Sequence, residues 1–478
     1  MDFRDKKHYN LYYLILGVTL FRMAIAPYFG LGVDEAHYAL YGENLALSYF
    51  DHPPLVGWVQ AVFTSIFGVN EFAIRLTAII IGAVVNLSVY ILIFKISQSS
   101  KTAFISTLAL NASFLFNALF LMLMPDTLLF VLLIPIIFQT LKLEDEATLK
   151  NFLILAFLLG LAGLAKYTAV LFVVAIVIYF LIKKRYNILF NIKIVPAIIL
   201  SAIMILPIII WNIQNEWISF AFQSSHVVAD KSIDLNVFFS SIGAQLGAYN
   251  PFLFILAYFG LYKSLRSTNR YLFISAIFAL VLISFFTYAS LYSRALPHWS
   301  ALFYMLMIPI GTYYALELKW TKYLKYSIGF GLIVSAILYL ELALKFIPLP
   351  HYQSLHRDIH GYERIMNEAN RLISDPTKEA FAVTNWSIAS RALFYNRAYK
   401  SNVYLIDDRY DQFDIWQNGS PNGKDLLFIN THFFNVNVDN LKCKSVEKAK
   451  EFDILLNNNK VNTISLIWCK GYNKNENR

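Results

Sequence analysis

Apolar stretches near or above about 18 residues, long enough to cross a bilayer as helices, recur along the first 345 positions of this 478-residue chain. A lipid-exposed segment must pair its own backbone polar groups, and a helix does so. Charged residues are 15% of the chain and hydrophobic ones 58%, with a mean hydropathy of +0.52; a soluble domain usually carries about 25% charged residues. The apolar pattern predicts about eleven spans, near 11–29, 72–94, 102–122, 126–141, 152–165, 168–182, 194–211, 236–262, 271–290, 300–316 and 326–345. The first run has no small-residue cleavage site before the next loop, so it is expected to stay as a span. No repeat with a period of about 20–50 residues is visible, which argues against a repeat array.

The net charge of +9 raises the question of nucleic acid, and its distribution answers it. With the N-terminus in the cytoplasm, seventeen Lys and Arg fall in the inner loops and four on the outer side of the membrane portion, Lys166, Lys231, Arg294 and Lys345. That is the positive-inside bias of a membrane protein. An odd number of spans then puts the C-terminus outside, and no nucleic-acid partner is expected.

After Lys345 the composition changes. Ile347-Pro348-Leu349-Pro350 reads as a stop and linker. Beyond it, 361–373 and 387–395 have helical spacing, while 381–383, 403–406, 426–429 and 463–468 have strand length. The expected architecture is mainly α: a polytopic helix bundle over 1–345, joined to a small periplasmic α/β domain over 346–478. Both cysteines, Cys443 and Cys469, fall in that second region, where an oxidising compartment would allow a disulfide or two unpaired thiols.

The loop between the first two long runs carries Asp34, Glu35, Glu43, Asp51 and Glu71 and no Lys or Arg. Asp34 to Leu47 has helical spacing with Asp34 at the cap, and Pro54 to Phe67 is a second apolar helix opened by Pro53-Pro54. Trp58, Phe63 and Phe67 suit the membrane interface, so two interfacial helices are expected. Asp34 and Glu35 serve either as helix cap and dipole partner or as general-base machinery at a low-dielectric boundary. Asp51-His52-Pro53-Pro54 is either a helix start or part of a substrate site.

Further candidates sit on the same membrane face. Asp126, in Pro125-Asp126-Thr127, brings another isolated carboxylate, and its bland role is a cap. Arg75, Lys166 with Tyr167, and Arg294 with His298 supply groups for an anionic substrate. A charge inside a span costs roughly 2.5–3.5 kcal/mol on insertion scales, so Arg75 is expected to have a partner or a role. No P-loop, dinucleotide-binding glycine pattern or His-Glu-x-x-His motif occurs.

These residues together resemble the membrane glycosyltransferases of superfamily C, in the bacterial branch related to protein O-mannosyltransferases and the lipid A aminoarabinose transferase. The matching stretches are Asp34-Glu35-Ala36-His37-Tyr38, Tyr49 to Leu55, Pro125-Asp126, Gly163 to Val170, Phe222 to His226 and Leu296 to Trp299. The family pattern commonly has Tyr after the Ala, where this chain has His37. The resemblance implies an inner-membrane enzyme with Asp34 and Glu35 as the catalytic pair. It implies a polyprenyl-phosphate sugar donor, here on undecaprenyl phosphate, and inverting transfer to a lipid, glycan or protein acceptor outside the membrane. Asp51, His52, Arg75, Asp126, Lys166, Tyr167, Arg294 and His298 are then the candidate substrate-binding residues. A divalent metal shared by Asp34 and Asp126 is an open alternative. The competing reading, a lipid-linked sugar flippase or secondary transporter, would use intramembrane charges and paired repeats, and leaves the acidic loop unexplained.

Overall fold

The computed structural model describes residues 5–227, 232–348, 355–399, 401–407, 409–417, 419–431 and 441–474. Arg4 and Lys231 of the charge count, Leu349 and Pro350 of the linker, and the side chain of His226 lie outside the described residues.

Among the described residues, seven helices are long and apolar enough to cross a membrane: Lys6–Tyr28, Glu71–Ser97, Pro125–Asp145, Ile194–Gln214, Arg270–Ala289, Pro297–Glu317 and Thr321–Leu344. An eighth span results if Leu235–Ala248 and Pro251–Ser264, bent by 106° at Asn250, count as one. The eleven expected spans are therefore too many by length and composition, and three apolar runs account for the difference. The 102–122 run breaks after Asn111, and Asn117 Nδ2 donates to the Asn111 carbonyl (2.9 Å) across the gap. The next two form Leu149–Ala165 and Tyr167–Ile182, separated at Lys166, whose backbone is extended. The 17 residues of Leu149–Ala165 reach about 26 Å at 1.5 Å per residue, short of a hydrocarbon core about 30 Å thick.

Ile198, Ile203 and Ile213 on one long helix and Tyr326, Ile333 and Leu340 on another are exposed, an apolar surface suited to lipid rather than water. Buried polar groups answer one another inside. Arg22 donates to Asn111 and Asn117 (both 3.3 Å), and Asn111 donates to Asn86 (2.6 Å). Pro251–Ser264 and Ala301–Glu317 pack backbone against backbone, because a Cβ on Gly260 would stand 2.7 Å from the Gly311 nitrogen.

Among the described residues, the C-terminal part holds a five-stranded sheet in the order β2-β1-β3-β5-β4, with β1 Glu379–Val383, β2 Val403–Leu405, β3 Asp425–Thr431, β4 Ser445–Leu456 and β5 Asn459–Lys470. β1 pairs in parallel with β2 and β3, while β5 runs antiparallel to β3 and β4. Strand β4 is absent from the sequence reading because Ser445–Leu456 is mostly exposed and rich in Lys and Glu, as an edge strand should be. In its turn to β5, Asn457 and Asn458 both have positive φ (48° and 63°), a geometry that favours Asn in two-residue hairpins. Cys443 and Cys469 form a disulfide, with Cα atoms 5.3 Å apart.

Glu341, buried near the end of the last long helix, accepts from Ile347 N (2.8 Å) and meets His356 Nε2 at 3.3 Å. This ties the helix to the chain that follows it. Gly311→Val is expected to force the two glycine-packed helices apart and cost about 1–3 kcal/mol of stability. The checking measurement is a lower melting temperature of the detergent-purified protein.

Candidate active site

The acidic loop folds as two helices, Val33–Glu43 and Leu55–Phe67. Gly32, not Asp34, occupies the cap position, and its N–H donates to Glu35 Oε2 (2.9 Å). That reach-back turns Glu35 inward and leaves Asp34 on the other side of the first turn. The helix stops at Glu43 rather than Leu47, with Asn44 Nδ2 donating to the Leu40 carbonyl (3.0 Å). The chain then doubles back, stacking Tyr49 on Tyr41 with ring centroids 3.6 Å apart.

Glu35 and Arg75 meet in the interior, both with fully buried side chains. Arg75 Nε and Nη2 donate to the two Glu35 oxygens (2.9 Å each), and its other N–H groups reach the carbonyls of Ala26, Phe29 and Gly30. The structure thus places Glu35, expected in catalysis, and Arg75, expected at a phosphate, in one buried ion pair. Neither side chain lines the neighbouring cavity: Glu35 is held by Arg75 and Gly32 N, and Arg75 by Glu35 and three carbonyls.

That cavity, about 300 Å³, is walled by Asp34, Asp51, His52, Lys166 and His298 from the helical part, with Trp386, Arg409 and Gln412 from the C-terminal part. Its acids differ in one respect. Asp126, beside the wall, is paired through both oxygens with Lys166 Nζ (2.6 and 2.7 Å). Asp51 accepts from the Tyr41 hydroxyl and lies 3.9 Å from both His37 and His52. Among the described residues, the Asp34 carboxylate enters no hydrogen bond and no ion pair.

Electrostatics separates the two acids that the helical part puts on the wall; a third, Asp411 from the C-terminal part, is pushed up to about 6 by burial. Protein surrounds Asp34 closely, and this burial, opposed by His37 and reinforced by Asp51, Glu35 and Asp126, pushes its carboxyl up to about 6. Burial also works against charge on Asp51, but His52, His37 and the Tyr41 hydroxyl outweigh it and hold its carboxyl well below the usual range. Asp34 is thus poised to exchange a proton near neutrality, while Asp51 stays ionised.

The remaining candidates divide. His298 is held on the wall by its turn, whose Pro297 carbonyl accepts from Tyr249 (2.7 Å). Tyr167 faces away from it: its hydroxyl bonds Ser219 (2.7 Å), which donates to the Tyr49 carbonyl (2.9 Å), so it braces the acidic loop. Arg294 is exposed and does not line the cavity. Among the described residues no group of three His, Cys, Asp or Glu is placed to hold a metal. With both Asp126 oxygens on Lys166, Asp34 and Asp126 do not fit a shared ion. Trp386, Arg409 and Gln412 carry no motif and were invisible in the sequence; only the folded chain brings them over the loop, where Gln412 accepts from Phe50 N (2.7 Å).

Glu35→Gln is expected to leave Arg75 as an uncompensated buried charge, at a cost of about 3–5 kcal/mol. Asp34→Asn should leave the melting temperature nearly unchanged, and thermal unfolding of the two variants side by side checks the contrast.

Residues 51–211 match the family model described as dolichyl-phosphate-mannose-protein mannosyltransferase. A protein described as lipid A galacturonosyltransferase RgtD, from Rhizobium johnstonii, is 23% identical over 414 residues, covering 82% of this chain and 83% of the relative. The crystal structure of apo ArnT from Cupriavidus metallidurans shares the fold, with a TM-score of 0.66 at 14% identity, covering 95% of this chain and 97% of that one. Together these findings are consistent with the superfamily C membrane glycosyltransferases, the family that the Asp34-Glu35 and Tyr49–Leu55 motifs resemble.

Proposed function

We propose that this chain transfers a sugar from a polyprenyl-phosphate donor to a lipid acceptor of the lipid A class, with inversion and with Asp34 as general base. The observation that carries this reading is the uncommitted Asp34 carboxylate on the cavity wall, pushed up to about 6 while its neighbours are engaged. The similarity to RgtD supports lipid A as acceptor. The positive-inside bias supports an inner-membrane orientation with the acidic loop and the 346–478 region in the periplasm.

In the reaction, Asp34 takes the proton of the acceptor hydroxyl as its oxygen bonds the anomeric carbon. The bond from that carbon to the phosphate oxygen breaks, and the polyprenyl phosphate leaves with the electron pair. Lys166 and His298 sit on the same wall to meet the growing negative charge, with Asp126 fixing the Lys166 ammonium. A second cavity of about 540 Å³, almost wholly apolar, lies between Leu149–Ala165, Val170–Ile182 and Ile194–Gln214. Tyr167 lines it and Lys166 lines the first, so a donor with its phosphate at Lys166 has an apolar groove beside it for its tail.

A base must be deprotonated to act, so the rate of transfer is expected to rise with pH through about 6 and level off above. A rate that climbs as pH falls through that range contradicts the assignment. Asp34→Asn should lower turnover by about 10²–10⁴, and Lys166→Met by about 10²–10³, in a reconstituted assay with donor and acceptor both saturating.

A further inference from the structure

Two cations line the cavity among its described residues, and they are not equivalent. Lys166 is buried and held in place by both oxygens of Asp126. Arg409 is exposed, comes from the C-terminal part, and among the described residues enters neither an ion pair nor a hydrogen bond. Neighbouring Asp411 lines the same cavity and feels the Arg409 charge, but it forms no ion pair with it: its side chain is buried and caps the Gln412–Trp416 helix, accepting from Phe413 N (2.8 Å).

Its place is nevertheless fixed by packing. The guanidinium lies 5.1 Å from the Phe222 ring centroid and 6.0 Å from that of Phe50. Three segments distant in sequence hold the two rings and the cation together: Gln412 holds Phe50 N (2.7 Å), and Gln223 donates to the Asp51 carbonyl (2.6 Å). A guanidinium resting on aromatic rings keeps N–H edges free, and its fork matches the oxygens of a phosphate.

We infer that Arg409 is the anion receptor at the mouth of the cavity, binding a phosphate carried by one of the lipid substrates. This rests on the transferase reading above. Its exposed position on the C-terminal part, while Lys166 is buried in the helical part, favours the phosphate of the incoming acceptor over that of the donor. The C-terminal region then supplies part of the substrate site as well as its cover.

The test is lipid binding to the full chain in detergent, followed by native mass spectrometry. The probes are two matched pairs: bisphosphorylated and dephosphorylated lipid A, and undecaprenyl phosphate and undecaprenol. Arg409→Ala is expected to weaken bisphosphorylated lipid A at least about tenfold, or about 1.4 kcal/mol, and to leave the dephosphorylated lipid unchanged. Arg409→Lys should recover part of the loss. A selective loss for undecaprenyl phosphate instead assigns the receptor to the donor. If wild-type protein prefers the phosphorylated lipids and neither variant alters that preference, the Arg409 inference is overturned and the transferase reading stands. If wild-type protein shows no preference for phosphate in either pair, both fall.

Discussion

The candidate site depends on one buried ion pair. Arg75 leaves a membrane-length helix to clasp Glu35 and the carbonyls of Ala26, Phe29 and Gly30. A guanidinium inside a bundle is tolerable only when its donors are met, and here the acceptors come from the turn that opens the acidic helix. The consequence is directional. With Glu35 drawn inward, the next residue back along the helix presents its carboxylate to the cavity. The paired acids of the sequence therefore divide the work: one builds the helix start, and the other is left free.

A second dependence runs through the C-terminal part. Its Trp386–Asn396 helix packs on Val33–Glu43, with Tyr395 accepting from Leu31 N (2.9 Å) and donating to Glu71 (2.9 Å). Arg397 reaches the Val69 carbonyl (2.7 Å), and Ser390 meets His37 at 3.2 Å. His37, the position where the family commonly has Tyr, is enclosed by Trp386, Phe413 and Trp416. Burial of this kind removes water from around Asp34, and low local dielectric is what raises a carboxyl pKa. The cover and the chemistry are thus one arrangement.

Much of this was legible in the sequence because the strongest signals are compositional or local. The apolar runs marked the bundle, and the acid-rich loop with the Tyr49–Leu55 motif pointed to the segment that lines the candidate site. Alternating helix and strand lengths after Lys345 marked the α/β region. Span number was not legible, since hydropathy cannot see the break at Ala112–Ser113 or the extended backbone at Lys166. Nor could side-chain commitments be read. That Arg75 clasps Glu35 and that Asp126 holds Lys166 is decided by long-range packing. Arg409 and Gln412 lie far along the chain in a stretch with no motif, so only the fold shows that they reach the loop.

The most direct test of the central claim is mass spectrometry of envelope lipids from cells with and without the gene, under confirmed expression. Transfer to lipid A predicts one sugar mass on lipid A that disappears on deletion, with the corresponding polyprenyl-phosphate sugar accumulating. An unchanged lipid A profile together with an unchanged donor pool would contradict it.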